Sequence, residues 1–167
     1  HAFGISQEDP TFEEYKNELL SIYRHHLADK TVLFPGLLEV LHECKNRAIP
    51  WGIVTNKPWA FTKPLLTELH LLEFSACTVC PDHVKKPKPD PESINLACDL
   101  MRVNPETCIY IGDHARDITA GKNAGMRTIA AHWGYVDITE DISSWGATWI
   151  VKKSQLLRSF LFGNTEC

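Results

Sequence analysis

Apolar positions recur at helical spacing near the start of the chain and in short β-rich runs farther on. Phe12, Tyr15, Leu19, Tyr23 and Leu27 predict an amphipathic helix over residues 11–28. Strands are predicted at 49–55, 77–80, 108–111, 127–131 and 148–151, and helices at 37–47, 58–70, 92–101, 115–124 and 155–160. Because strands alternate with helices, we expect an α/β fold with a doubly wound parallel sheet covered on both faces.

Composition narrows the class of protein. A chain of 167 residues with 44% hydrophobic content is long enough for one domain, or one domain and a small appendage. A net charge of −4 provides no basic surface for nucleic acid, and no apolar run is long enough to span a membrane. There is no basic-then-apolar N-terminal pattern typical of a signal peptide. We therefore expect a soluble, cytoplasmic protein with neither nucleic-acid nor membrane partners.

Six cysteines are few for a disulfide scaffold of this length, so we expect reduced thiols. Cys77 and Cys80 have a metal-like spacing, and His83 follows. No second cysteine pair with that spacing follows, and residues 77 and 80 of an extended segment would face opposite ways. A closed structural zinc site normally needs four ligands, so zinc is the weaker interpretation of this pattern.

The segment 108–118 carries the most informative chemistry. An apolar β-rich run ends in Gly112-Asp113, and Asp117 follows as a helical pattern begins. The strand would place Asp113 at the carboxyl end of the sheet, and a helix opening near Ala115 would put Asp117 about one turn away. Two neighbouring carboxylates repel unless a cation lies between them, and Mg²⁺ prefers such oxygen ligands. The alternative is that both aspartates only cap the helix.

Two more loops end predicted strands with polar chemistry. Thr55 and Asn56 offer a hydroxyl and backbone N–H groups where a helix begins, which suits an anion. Lys86 lies in the proline-rich loop 84–91, whose prolines fix backbone angles and would hold an ammonium in place. Taken singly, Thr55 could be an N-cap and the lysines a solvated patch. Together with the aspartates, these loops indicate a phosphate-processing centre.

The order of these motifs resembles the haloacid dehalogenase superfamily of phosphatases. Residues 54–56 are similar to its second motif, which ends in Thr or Ser. Residues 86–91 match the Lys-Pro-x-Pro-x-Pro third motif of the phosphoglycolate phosphatase-like branch, and residues 112–117 match the fourth, Gly-Asp-x-x-x-Asp. Residues 120–126 also resemble that branch. The likeness extends over most of the chain from Leu33 onward and implies a Rossmann-like core.

The resemblance also implies a role for each motif residue. Asp113 would coordinate Mg²⁺ directly, and Asp117 would act through water or support the metal shell. Thr55 and the backbone of Asn56 would bind the transferring phosphoryl group. Lys86 would neutralise charge on the phosphate and on the attacking carboxylate. In the family mechanism an Asp attacks the phosphate, and water then hydrolyses the aspartyl-phosphate.

One departure from the family pattern is large. The first motif, Asp-x-Asp-x-Thr, supplies the nucleophile and the general acid, and no Asp-x-Asp occurs in this sequence. We therefore interpret the chain as a fragment: residues 1–31 as a partial helical cap, and 32–167 as a core without its first strand. That strand would lie between the strands ending at Thr55 and Asp113. We expect an absent segment, a partner chain or a rearranged sheet to fill the gap.

The expected function is Mg²⁺-dependent phosphomonoester hydrolysis on a small phosphorylated metabolite, with the chain alone inactive. Gly-Asp-His-x-Arg-Asp-Ile at 112–118 resembles a subgroup acting on N-acetylmuramic acid 6-phosphate, which joins 2-phosphoglycolate as a candidate substrate. His114 is interpreted as a loop residue. The alternative is a non-catalytic or regulatory module that binds phosphate and Mg²⁺, as in response-regulator receivers. A dinucleotide-binding domain is disfavoured because Gly-x-Gly-x-x-Gly is absent.

Overall fold

A computed structural model of the chain describes Ser6 and residues 8–134 and 140–163. It divides the chain into two compact units, His1–Val32 and Leu33–Cys167. No helix in the described part of the chain is long and apolar enough to cross a bilayer.

Among the described residues of the first unit there is one helix, α1 (Phe12–His25), slightly shorter than the predicted 11–28. Glu13 and Glu14 lie in its first turn, and Arg24 and His25 lie in its last. This arrangement places opposite charges against the helix dipole at both ends. All residues of α1 are described, and none is buried. Apolar side chains along it are about half exposed: Tyr15 45%, Leu19 46% and Ile22 53%.

The second unit alternates helices and strands as the hydrophobic pattern predicts. In chain order the elements are α2 (Leu37–Asn46), β1 (Gly52–Val54), α3 (Trp59–Glu68), β2 (Cys77–Val79), α4 (Glu92–Met101), β3 (Ile109–Gly112), α5 (Ala115–Asn123), β4 (Arg127–Ala131), β5 (Trp149–Val151) and α6 (Leu157–Phe162). Short 3₁₀ turns lie at Pro81–His83, Pro105–Thr107, Ile142–Trp145 and Ser154–Leu156.

The strand predicted at 49–55 is reduced to β1 because its first residues close the preceding helix. Ala48 has a left-handed φ of 52°, and the Ile49 N–H donates to the Cys44 carbonyl at 2.8 Å. A backbone turned in this way satisfies the last carbonyls of α2. Pro50, which lacks an N–H, then separates this turn from the strand.

The strands form two parallel sheets. β1 pairs with β2, with Ile53 opposite Thr78, and β3, β4 and β5 form the order β3-β4-β5. Ile111 lies opposite Ile129 in this second sheet. Parallel strands covered by helices confirm the α/β class. β1 and β3 are not paired with each other, so the sheet is not rearranged by a direct ladder between these two strands.

The core of the second unit lies around β4. Ile129 is fully buried and forms a cluster with Val40, Val151 and Leu157. Ala130, the next residue of β4, belongs to a second cluster with Ile118, Ile142 and Trp145. Successive side chains of a strand point to opposite faces, so β4 is buried on both faces as a central parallel strand should be.

The cysteines among the described residues are all free thiols. Burial, followed by the neighbouring Cys108, raises the pKa of Cys98 to about 11, and burial raises the pKa of Cys77 and Cys80 as well. His83 accepts a hydrogen bond from the Cys80 N–H at 3.1 Å. The described residues contain no cluster of three or more His, Cys, Asp or Glu that could hold a metal ion.

We predict that the free energy of unfolding decreases as the pH rises from about 9 to about 11. A thiol whose pKa is 9.0 when unfolded and about 11 when folded favours the folded state below pH 9 and ceases to do so near pH 11. Urea denaturation at several pH values measures this change. In Cys98→Ala the decrease should be shallower. An unchanged slope in that variant would contradict the assignment.

Candidate active site

The loop that follows β1 carries the first predicted motif. The Thr55 N–H donates to the Val79 carbonyl at 3.0 Å, so the parallel pairing continues past the end of β1. The Thr55 hydroxyl accepts from the Lys57 N–H at 3.0 Å and turns the chain toward α3. The N-cap of α3 is Pro58, so Thr55 does not cap that helix. Its hydroxyl lies at the carboxyl end of the strand.

Asn56 joins this loop to the proline-rich loop. Its amide nitrogen donates to the Lys88 carbonyl at 2.8 Å, and its amide oxygen accepts from the Lys88 N–H at 3.2 Å. Two reciprocal hydrogen bonds to one backbone residue fix both its position and its orientation. Asn56 therefore holds the backbone of Lys88 beside the end of β1.

The Lys88 side chain is buried and makes three polar contacts. Its Nζ lies 2.8 Å from Asp117 Oδ1, and it donates to the Val54 carbonyl at 2.8 Å and to the Tyr110 hydroxyl at 2.9 Å. An ammonium has three N–H groups, so each has an acceptor here. The Lys88 and Asp117 side chains are 7% and 8% exposed. Together these residues form the Lys88 cluster: Lys88, Asp117, Tyr110 and the Val54 carbonyl.

The Lys88 cluster spans the two sheets. Val54 is the last residue of β1, and Tyr110 lies on β3. The Tyr110 hydroxyl also donates to the Val54 carbonyl at 3.2 Å. Side chains thus connect two strands that have no ladder between them. Burial, Asp117 and Asp113, in that order, raise the pKa of Tyr110 far above its usual range, which keeps the phenol a hydrogen-bond donor.

Lys86 is not a member of the Lys88 cluster. Its side chain is exposed, and it lines an open groove of about 510 Å³ together with Asp90, Glu92 and Asp99. The backbone N–H of Lys86 donates to Glu92 Oε2 at 2.9 Å, and the N–H of Lys85 donates to Oε1 at 3.0 Å. Glu92 therefore fixes the backbone of this loop. Of the lysines in the proline-rich loop, the structure places Lys88 beside Asp117, whereas sequence analysis selected Lys86.

Both predicted aspartates lie where β3 passes into α5. Asp113 is exposed and follows Gly112, the last residue of β3, whereas Asp117 is buried in the first turn of α5. A Cβ on Gly112 would overlap the Cβ of Asp117, and one on Gly134 would lie 2.9 Å from Asp113 Oδ2. Two glycines therefore provide the space that these aspartates occupy.

His114 is the N-cap of α5. Its Nδ1 accepts from the Arg116 N–H at 3.2 Å, and its ring stacks on Trp145 with centroids 6.5 Å apart. The Asp117 N–H donates to the His114 carbonyl at 2.9 Å as part of the same helix start. Because His114 is the cap, the alternative that the aspartates serve only as helix caps does not describe this helix start.

The carboxylates of Asp113 and Asp117 suit a hard divalent cation by their chemistry, although one oxygen of Asp117 is already engaged. They provide oxygen ligands of the kind that Mg²⁺ prefers, and Mg²⁺ is commonly held by one or two carboxylates while water or phosphate completes its shell. Asp113 is open to solvent, whereas one oxygen of Asp117 already contacts Lys88. Direct ligation through Asp113, with Asp117 behind it, is the arrangement that these residues suit.

Comparison with known proteins identifies the family. Residues 1–131 match the family model of haloacid dehalogenase-like hydrolases. The chain belongs to this family. The resemblance found in the motifs is thereby confirmed, and so is the α/β fold of the haloacid dehalogenase-like hydrolases. Members of this family generally use Mg²⁺.

Named relatives of this hydrolase chain are phosphatases, that is, phosphoric monoester hydrolases. An N-acetylmuramic acid 6-phosphate phosphatase from Pseudomonas putida is 39% identical over 160 residues, which are 96% of this chain and 72% of the relative. A phosphoglycolate phosphatase from Xanthomonas campestris is 35% identical over 136 residues, 81% of this chain and 62% of the relative. The chain thus spans roughly two thirds of the length of these proteins.

Solved structures share the fold of this hydrolase chain. A predicted phosphoglycolate phosphatase from Haemophilus somnus has a TM-score of 0.84 at 22% identity, covering 94% of this chain and 68% of that one. The CbbY protein from Rhodobacter sphaeroides, in complex with phosphate, has a TM-score of 0.76 at 21% identity, covering 92% and 68%.

Two residues of the Lys88 cluster, Lys88 and Tyr110, are not predicted by the sequence motifs. Lys88 occupies the variable position of the Lys-Pro-x-Pro motif, so the motif directs attention to Lys86 instead. Tyr110 lies inside an apolar strand, where an aromatic residue is ordinary. No local signal separates the two lysines, because Lys86 and Lys88 each precede a proline and have the same backbone restriction.

We predict that Gly112→Ala destabilises this unit by about 1–3 kcal/mol because its Cβ would overlap the Cβ of Asp117 and shift either β3 or α5. Gly134→Ala is the matched comparison, because its Cβ would lie 2.9 Å from Asp113 Oδ2 and 3.1 Å from Asp113 Cβ, a looser approach than that at Gly112. Urea denaturation measures both. Equal losses in the two variants would contradict the close approach at Gly112.

Proposed function

We propose that this chain forms the phosphate- and metal-binding part of a Mg²⁺-dependent phosphomonoester hydrolase. The observation that supports this most directly is the meeting of three loops. The Lys88 cluster brings the end of β1, the proline-rich loop after β2 and the start of α5 within hydrogen-bond distance. Ligands of parallel α/β sheets bind at the carboxyl ends of the strands, where these loops lie.

In this proposal each motif residue acts as the family resemblance implies. Asp113 binds Mg²⁺ directly, and Asp117 acts through water or supports the metal shell. The Thr55 hydroxyl and the backbone of Asn56 bind the phosphoryl oxygens, and Lys86 neutralises charge on the phosphate from its rigid loop. When bound, Mg²⁺ would supply polarisation of the phosphoryl oxygens and neutralise their charge.

The attacking carboxylate must come from residues outside this sequence. We propose that a strand carrying Asp-x-Asp-x-Thr fits between β1 and β3 and forms the aspartyl-phosphate there. These two strands lack a ladder to each other, and unpaired strand edges can accept another strand. Insertion would require the contact between the Tyr110 hydroxyl and the Val54 carbonyl to open. The segment would be an N-terminal part of a longer protein or a partner chain.

The substrate we propose is a small phosphorylated metabolite. The N-acetylmuramic acid 6-phosphate phosphatase relative is more similar than the phosphoglycolate phosphatase relative, at 39% against 35% identity, and matches more of the chain. We therefore place this sugar phosphate ahead of 2-phosphoglycolate. Residues 1–31, with the exposed apolar side chains of α1, would be part of a helical cap that covers the substrate and excludes water.

A second candidate function applies to the chain by itself. The sequence contains no Asp-x-Asp, so the 167 residues lack the nucleophile that the family mechanism requires. A module that binds phosphate and Mg²⁺ without hydrolysis, or a regulatory fragment of the same fold, accounts for this absence. Activity of the chain with and without a nucleophile strand separates the two candidates.

We predict that the chain alone does not cleave p-nitrophenyl phosphate in the presence of Mg²⁺. Joined to an N-terminal segment that carries Asp-x-Asp-x-Thr after an apolar strand, it should gain activity. Asp113→Asn in this fusion should lower activity by at least about a hundredfold, because it removes a ligand that neutralises transition-state charge. Glu106→Gln, at an exposed position of the turn that precedes β3, is the control.

Two results would contradict the proposal. Robust turnover by the chain alone would show that it has a nucleophile of its own. A fusion that folds and hydrolyses the ester equally well with Asp113 or Asn at position 113 would remove Asp113 from the metal site. An inactive fusion that still binds Mg²⁺ would favour the non-catalytic module.

A further inference from the structure

The carboxylate of Asp117 already has a cation. Lys88 Nζ lies 2.8 Å from Asp117 Oδ1, and both side chains are more than nine-tenths buried. Solvent screening is weak for a buried pair, so the ammonium acts on Asp117 at nearly full strength. In the part of the chain that the structure describes, Lys88 is the one buried lysine.

The position of this ammonium is fixed from both ends. Asn56 holds the Lys88 backbone through two hydrogen bonds, and the Val54 carbonyl and Tyr110 hydroxyl accept the N–H groups not directed at Asp117. The ammonium lies beyond the hydroxyl of the Tyr110 ring, 5.5 Å from the ring centroid. Every acceptor is an oxygen, the same kind of atom that attracts a hard divalent cation.

We propose that Lys88 competes with the divalent cation for Asp117 and thereby sets the affinity of the carboxylate pair for metal. This inference rests on the metal site in the proposed function. With Lys88 in place, an ion binds through Asp113, and Asp117 becomes a ligand only when the ammonium withdraws. Lys88 is in this sense a positioning residue, since it acts on the metal through Asp117.

Charge explains the direction of the effect. Asp113 and Asp117 carry two negative charges, and the Lys88 ammonium reduces their sum to one. Removing the ammonium would leave a buried carboxylate without a counter-cation, which is a costly state that binding of any cation relieves. The metal affinity of the site should therefore rise when Lys88 is neutralised, although the metal-free protein becomes less stable.

The test measures Mn²⁺ binding to the 167-residue chain. The electron paramagnetic resonance signal of free Mn²⁺ reports how much is bound, and displacement of Mn²⁺ by Mg²⁺ gives the affinity for Mg²⁺. In Lys88→Met we expect the dissociation constant for Mn²⁺ to fall about tenfold or more, since an opposite charge in contact with a carboxylate changes its affinity for a proton by that order. The thermal midpoint without metal should fall, and its rise on adding Mg²⁺ should exceed that of the unmodified chain.

Lys85→Met is the matched control, because Lys85 lies in the same loop with an exposed side chain. It removes one positive charge from the loop without touching Asp117, and should leave the dissociation constant within about twofold. Equal or weaker Mn²⁺ binding by Lys88→Met, or equal tightening in both variants, would overturn the competition.

A measurement on the unmodified chain covers the case in which Lys88→Met does not fold. The buried ammonium of Lys88 should give a protected ¹⁵N–H signal in a sample labelled at lysine Nζ. Saturating Mg²⁺ should shift that signal or remove its protection, and an unchanged signal would overturn the proposal. If neither the chain nor Lys88→Met binds Mn²⁺, both this inference and the proposed metal site fail. If Lys88→Met binds Mn²⁺ no more tightly than the unmodified chain while the fusion is active and depends on Asp113, this inference fails and the proposed function stands.

Discussion

The buried ion pair between Lys88 and Asp117 is the interaction on which the candidate site depends. A buried pair is favourable only where hydrogen bonds satisfy the rest of both groups, because both charges have left water. The Val54 carbonyl and the Tyr110 hydroxyl provide those hydrogen bonds for the ammonium. Breaking such a pair from one side costs about 3–5 kcal/mol, so the loops after β1, after β2 and after β3 are held as one group.

This pair matters more here because the backbone does not join the two sheets. β1 pairs with β2 and β3 pairs with β4, so neither ladder connects Val54 to Tyr110. The hydrogen bonds of the Lys88 cluster provide a connection through side chains instead. A strand inserted between β1 and β3 would have to pass the Tyr110 hydroxyl and the Val54 carbonyl, which at present contact each other. Insertion of such a strand would therefore change the Lys88 cluster, which contacts Asp117 of the proposed metal site.

The secondary structure follows closely from the sequence because hydrophobic period and local chain stops determine it. The helix predicted at 92–101 is found as α4, and the strand predicted at 127–131 is found as β4. Prolines and apolar runs mark these boundaries locally. The strand predicted at 49–55 is shorter because the left-handed Ala48 makes residues 48–50 part of the turn that closes α2. Apolar character alone cannot distinguish a residue of such a turn from a residue of a strand.

Only part of the candidate site could likewise be predicted from the sequence. The convergence of the loops containing Thr55, Asp113 and the prolines could be inferred, because strand ends of a parallel sheet share one edge. Which lysine turns inward could not, because it depends on hydrogen bonds from Asn56 across 32 positions of sequence. The motif residue Lys86 stays exposed, and its role as a phosphate ligand remains a prediction. Burial of a charge is decided by tertiary partners, which no local pattern contains.

His114 shows how the start of α5 keeps its carboxylates available. Aspartate is a favoured N-cap, and one carboxylate oxygen of a capping aspartate would accept a hydrogen bond from a backbone N–H. Here the imidazole Nδ1 accepts that bond from Arg116, which requires the tautomer with its proton on Nε2. Trp145 stacks on the ring, and its indole nitrogen donates to Glu140 at 3.1 Å, so the cap is supported from outside the helix. Asp113 is thereby left exposed at the end of β3, and Asp117 can direct its carboxylate to Lys88.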